Sequence, residues 1–196
     1  MAGTTKEKIL STALTLFAKN GYAGTSVADI AGALGLSKSA LYKHFGGKEE
    51  IWNAILQRGE EYYDEHIGVA HQVAVPKSRE AFVALSMGQV DFTVHDSFIK
   101  QCRHIMAVGQ FSDPRVCALS TRHYITRVEE FYAPLFEEMM KNGILRQGDP
   151  SMLALSYTSP ISVLIQQCDR EPRRTDEIMN RIRRFAEFFA DEWFLN

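Results

Sequence analysis

No proline interrupts this chain before Pro76, and over that stretch apolar residues return at helical rather than alternating spacing. A chain that offers no strand-like alternation must build its core from packed helices. A first helix is expected from about Thr5 to Lys19, where Leu10, Ala13, Leu14 and Phe17 recur with Ile9 alongside, and Asn20-Gly21 ends it. A second, short helix should run from about Ser26 to Leu34 on the stripe Val27, Ile30, Ala31 and Leu34. Thr25 or Ser26 can cap it, with Ser26 and Asp29 spaced as a capping box. Gly35 makes a turn. Ser37 then caps a third helix through Phe45, and Leu36 and Leu41 are placed as a hydrophobic staple. Gly46-Gly47 break the chain before a long fourth helix from Lys48 to about His71. Its inner face is Trp52, Ile55, Leu56, Tyr63, His66, Ile67 and Ala70.

Two short helices around a glycine turn, with small residues (Ala31, Gly32, Ala33) at their contact, follow helix-turn-helix grammar. The third helix keeps only Leu41 and Phe45 for a core. Lys38, Ser39, Ala40, Tyr42, Lys43 and His44 remain on its other sides, a mixture of cations and donors suited to a major groove and its phosphate rim. Charge supports the division. Residues 1–48 carry six lysines against Glu7 and Asp29, a net +4. The remainder carries 16 basic and 22 acidic residues, a net −6, which gives the chain its formal −2. A basic head on an acidic body is the asymmetry expected when only the head meets nucleic acid.

The runs Gly21-Tyr22-Ala23-Gly24-Thr25-Ser26-Val27-Ala28-Asp29-Ile30-Ala31, Leu34-Gly35-Leu36-Ser37-Lys38-Ser39-Ala40-Leu41-Tyr42-Lys43-His44-Phe45 and Lys48-Glu49-Glu50-Ile51 resemble the TetR/AcrR-type transcriptional regulators. The likeness covers about residues 5–56. It implies an all-α fold of about nine helices: a three-helix DNA-binding head over 1–47 and a ligand-binding and dimerisation bundle over 48–196. It also implies roles for matching positions. Lys38, Ser39, Ala40 and Lys43 face base edges or nearby phosphates, Tyr42 and His44 contact phosphates, Thr25 and Ser26 offer donors to the backbone, and Lys48 pins a phosphate at the start of the fourth helix. Ser39 departs from the glycine that many members have there.

Later helices are expected at about 79–95, 99–110, 114–141, 150–168 and 175–194. Asp113-Pro114, Asp149-Pro150 and Thr175-Asp176-Glu177 mark starts, Asn142-Gly143 marks a stop, and Pro134 and Pro160 fall inside. The last two helices are rich in apolar residues, and the resemblance implies that they pair two subunits as a four-helix bundle. Leu153, Tyr157, Ile161, Leu164, Ile178, Ile182, Phe185 and Phe189 are the expected interface. The middle helices mix rings with a few polar groups, the composition of a small-molecule pocket. Phe92, His95, Cys102, Met106, Tyr124, Arg127, Val128 and Phe131 are the candidates, and their rings suit an aromatic or amphipathic effector.

Scattered Cys102, Cys117 and Cys168 make neither a disulfide framework nor a zinc motif. No apolar h-region follows Met1 and no run reaches about 20 apolar residues, so a cytoplasmic protein without membrane contact is expected. No phosphate loop, nucleophile elbow or paired-carboxylate motif points to catalysis, and no cofactor or metal site is expected. The reading is therefore a repressor released from a pseudo-palindromic operator in double-stranded DNA by a small molecule, acting as a homodimer. The alternative is a DNA-silent dimeric co-regulator that acts through protein partners.

Overall fold

The structure, a computed structural model, describes residues 4–67 and 73–195. Ten α-helices occur among the described residues: α1 (Thr5–Asn20), α2 (Val27–Ala33), α3 (Lys38–Tyr42), α4 (Lys48–Ile67), α5 (Arg79–His95), α6 (Ser97–Gly109), α7 (Pro114–Thr121), α8 (Arg127–Lys141), α9 (Pro150–Arg170) and α10 (Thr175–Trp193). They contain no β-strand, only an isolated antiparallel bridge between Leu145 and Phe194. The single helix expected over 114–141 divides into α7 and α8 through a π-helical turn, Arg122–Thr126. The wider turn leaves the Arg127 N–H on the carbonyl of Arg122, a register that apolar spacing does not announce. α8 and α9 run on through Pro134 and Pro160. The expected inner-face position Ala70 and the helix end near His71 lie outside the described residues, as does the Ile67 side chain.

The helices form two compact units. One holds the chain up to Glu65 together with Ser97–Ser120; the other holds His66–Asp96 with the chain from Thr121 onward. In the first unit, Ile9, Ala13, Leu14 and Phe17 of α1 meet Ile30, Leu41, Phe45, Ile51, Trp52 and Ile55 in one core, joined by Ile105, Met106 and Val116 of α6 and α7. Of the three small residues expected at the α2–α3 contact, only Ala31 is buried; Gly32 and Ala33 face outward. α3 ends at Tyr42, sooner than expected, yet Phe45 still reaches the core from the turn that follows.

Gly24 is required by space. A Cβ there would lie 2.4 Å from the carbonyl oxygen of Asn20 at the end of α1, and backbone cannot yield as a side-chain tip can. Gly24→Ala is expected to lower stability by about 1–3 kcal/mol. Gly32, with nothing within 4 Å of its added Cβ, is the contrast. Gly32→Ala in the interior of α2 should raise stability by about 0.5–1 kcal/mol. Urea denaturation of the two variants checks both signs.

The second unit is organised around Phe82 of α5. Its ring lies 5.1–6.5 Å from those of Tyr132, Phe136, Tyr157, Phe189 and Phe194, drawn from α8, α9, α10 and the residue that caps α10. The residues expected at the subunit interface are drawn into this packing. Leu153, Tyr157, Ile161, Ile178, Ile182 and Phe189 are buried within the protomer, and Leu164 and Phe185 pack against the same core. The apolar stripes of α9 and α10 are the inward faces of two helices that already cover one core. The outward faces carry another set: Met152, Leu155 and Val163 on α9 and Phe188, 68% exposed, on α10. α10 starts at Thr175, as expected. Thr175 is preceded by a 3₁₀ turn at Pro172–Arg174, and its hydroxyl donates to the Pro172 carbonyl.

Candidate DNA-binding face

α2 and α3 are fixed locally before they are fixed by packing. The Ser26 hydroxyl accepts from the Asp29 N–H, and the Asp29 carboxylate accepts from the Ser26 N–H at 2.8 Å and the Ser26 hydroxyl at 2.6 Å. These bonds hold the Asp29 carboxyl below its ordinary range, aided by the nearby Lys38 charge. Ser37 caps α3 by accepting from the Ala40 N–H at 3.1 Å. Between the helices the Leu36 N–H returns to the Ala31 carbonyl, and Gly35 sits at φ 65°, a left-handed conformation that suits glycine.

With Leu41 turned inward, Lys38, Ser39, Tyr42, Lys43 and His44 are exposed, and Ala40 is half-buried. Tyr42 is 51% exposed, so its ring belongs to the surface. Among the described residues, the side chains of Lys38, Tyr42, Lys43 and His44 make no hydrogen bond or ion pair; Ser39 shares a contact with the Ser37 hydroxyl at 2.9 Å. Two lysines, an imidazole and a phenol thus stand on one short helix and the turn after it, free to take a polyanionic partner.

Two other expected contacts are placed differently. Thr25 is buried, and its hydroxyl donates to the carbonyls of Gly21 at 3.0 Å and Leu16 at 3.3 Å. It closes the end of α1 and offers nothing outward; Ser26 is the exposed cap. Lys48 is half-buried at the start of α4. Its ammonium donates to the Tyr22 carbonyl at 2.9 Å and sits 4.2 Å from the centre of the Tyr22 ring.

The expected pocket residues do not stay together. Cys102 and Met106 belong to the first unit, Met106 in its core. Phe92, His95, Tyr124, Arg127, Val128 and Phe131 belong to the second. His95 is exposed, with Nδ1 2.9 Å from the Asp91 carboxylate, so it lines no interior there. Phe131 and Arg127 are buried; Phe92, Tyr124 and Val128 are half-buried. Sequence reasoning passed over the interior polar groups of this unit. The Tyr157 hydroxyl donates to Ser86 at 2.6 Å, and the Tyr132 hydroxyl donates to Gln89 Oε1 at 2.8 Å. Gln89 Nε2 is buried without a hydrogen-bond partner. Burial pushes the Tyr157 phenol well above its ordinary pKa, so it stays a neutral donor. Ser86, Gln89 and Thr93 at helical spacing on the apolar face of α5 were the available signal.

An all-helical chain with a capped α2, a glycine turn and an exposed basic α3 defines a helix-turn-helix transcription regulator. Comparison with known proteins agrees. The family model described as bacterial regulatory proteins, tetR family, matches residues 9–55. The negative regulator of the biofilm operon icaADBC, IcaR of Staphylococcus epidermidis, is 38% identical over 160 residues, 82% of this chain and 78% of that one. PfmR of Thermus thermophilus, a TetR family transcriptional regulator, superimposes with a TM-score of 0.66 at 28% identity, over 93% of this chain and 97% of that one. The SmeT–triclosan complex superimposes with a TM-score of 0.76 at 18% identity, over 98% and 92% of the two chains; SmeT represses a multidrug efflux pump of Stenotrophomonas maltophilia. The chain belongs to the tetR family and is a DNA-binding transcriptional regulator. The family match falls on the helix-turn-helix itself, which counts against a DNA-silent co-regulator. No helix among the described residues is long and apolar enough to cross a membrane.

Proposed function

We propose that the protein represses transcription as a homodimer that grips a pseudo-palindromic operator and is released by a small-molecule effector. The exposed, unpaired set Lys38, Tyr42, Lys43 and His44 on and just after α3 carries the reading. Residues 1–47 serve as the DNA-binding domain and 48–196 as the effector and dimerisation domain, in the cytoplasm. Lys38, Ser39, Ala40 and Lys43 face base edges and adjacent phosphates, Tyr42, His44 and Ser26 contact the backbone, and Lys48 turns its remaining N–H donors to a phosphate. The name of the Staphylococcus relative, a negative regulator, supports repression.

Effector binding is assigned to the interior of the second unit, among Phe92, Tyr124, Arg127, Val128 and Phe131. The buried Gln89 Nε2, which has no partner of its own, gains one from a ligand acceptor there. The rings suit an aromatic or amphipathic molecule, and the fold-neighbour SmeT is captured with triclosan. To switch the protein, the effector must prefer the non-binding state of the dimer, since equal affinity for both states shifts nothing. Displacing α4 changes the separation of two heads that must meet major grooves about 34–36 Å apart.

Gel retardation with duplex DNA from the region upstream of the protein's own gene, over a salt series, tests the reading. Lys43→Ala should weaken binding and reduce the salt slope by about 1. No retarded complex at any salt would remove the DNA-binding role of α3.

A further inference from the structure

One charged network in the first unit reaches from α7 to the start of α4. Asp113, which caps α7, takes Arg115 in a fork: Arg115 Nε donates to Oδ1 at 3.0 Å and Nη2 to Oδ2 at 2.7 Å. The Arg115 Nη1 donates to Asn53 Oδ1 at 3.0 Å and also to the Glu49 carboxylate. The other Glu49 oxygen accepts from the Tyr22 hydroxyl at 2.7 Å. The Tyr22 carbonyl and ring hold the Lys48 ammonium. Six residues whose sequence numbers span 22 to 115 thus form a chain of contacts that ends at the lysine opening α4.

The chemistry of each member fits an intact network. The paired guanidinium holds the Asp113 carboxyl down to about 2. The Tyr22 hydroxyl and then Arg115 hold the Glu49 carboxyl below its ordinary range. Burial and the Glu49 carboxylate push the Tyr22 phenol up to about 12, so it remains a donor at neutral pH. A fork to one carboxylate leaves a third guanidinium nitrogen for a second, which a lysine cannot reproduce.

The position of Glu49 makes the network consequential. α4 opens Lys48-Glu49-Glu50, so two carboxylates stand beside a lysine proposed to meet a phosphate. Glu50 is engaged locally, accepting from the Gly46 N–H. Glu49 follows Lys48 directly and shares Tyr22 with it, so its charge opposes a phosphate held by Lys48 unless a cation balances it.

We propose that Arg115 is a positioning residue for DNA binding: it neutralises Glu49 and, through Glu49, fixes Tyr22 beneath the Lys48 ammonium. The role rests on the reading above that the start of α4 meets the DNA backbone. It makes α7, far from α3 in sequence, a determinant of operator affinity. A displacement of α7 that withdraws Arg115 exposes the Glu49 charge beside the phosphate.

A double-mutant cycle on the full chain tests this, with binding to mixed-sequence duplex DNA followed by fluorescence anisotropy over a salt series and thermal unfolding measured in parallel. Arg115→Ala should weaken binding roughly 2- to 10-fold. Adding Glu49→Gln should restore most of the loss, because the glutamine still accepts from Tyr22 and carries no charge. Arg115→Lys should recover part of the affinity. A double variant as weak as Arg115→Ala alone overturns the proposal, as does Arg115→Ala binding normally while Lys48→Ala binds weakly. Normal binding by Lys48→Ala instead removes the underlying placement of α4 at the backbone. A loss that follows the unfolding temperature in every variant overturns the proposal too, assigning Arg115 a purely structural role.

Discussion

Phe82→Ala is expected to remove about 3–5 kcal/mol of stability, a large share of the roughly 5–15 kcal/mol typical of a folded domain. Phe82 is fully buried, and five aromatic rings from other parts of the second unit surround it. Truncation forfeits the transfer energy of the ring, leaves a cavity among stiff neighbours that collapse poorly, and removes edge and offset ring contacts worth about 0.5–1.5 kcal/mol per pair. For a chain of this size the unfolding midpoint should fall by roughly 6–20 °C. Phe111 is the control: it is 94% exposed, and its replacement by serine should change stability by no more than about 0.5 kcal/mol. Calorimetry on both variants decides the matter. A loss at Phe82 as small as that at Phe111 would mean that the ring cluster does not organise the unit.

The second large effect concerns assembly. Leu155→Arg combined with Phe188→Arg should convert the proposed dimer to a monomer while leaving helix content unchanged, since both side chains point out of the protomer. Each substitution enters a two-fold interface twice, so four guanidinium groups would be placed in one patch, next to the exposed Arg181 and Arg184 of α10. Loss of pairing removes the tether that makes the second half-site contact intramolecular, and operator affinity should drop by about 10²–10⁴. Analytical ultracentrifugation alongside gel retardation reads both consequences. A variant that still sediments as a dimer would place the subunit contact away from these outward faces.

That interface also shows where sequence reading stops. Amphipathic spacing on α9 and α10 located both helices closely, but a stripe of Leu153, Tyr157, Ile161, Ile178 and Ile182 looks the same whether it faces its own protomer or a partner. The protomer claims the wider stripe first because α5 and α8 need covering, and only the placed helices separate outward Met152, Leu155, Val163 and Phe188 from it. On the head, the sequence reading is closer because its signals are local. Caps, a glycine turn and a short-range staple all act within a few residues, and Ser26, Gly35, Ser37 and Leu41 occupy the expected places. Thr25 and Ser26 could each cap α2, and only the carbonyls at the end of α1 decide that Thr25 turns inward. Arg115 was invisible for the opposite reason. Its partner Glu49 lies 66 positions away, and no periodicity records such a pairing.

The five residues of α3 are held by a serine cap and by Leu41, with Phe45 anchoring the turn beyond. Lys38, Ser39, Tyr42, Lys43 and His44 contribute almost nothing to that anchoring. Substitutions among them should therefore carry little stability penalty, and a lineage bearing this scaffold can drift from one operator to another without passing through poorly folded intermediates. Gene duplication then yields regulators that share Leu41, Gly35 and the caps yet no longer compete for the same promoters.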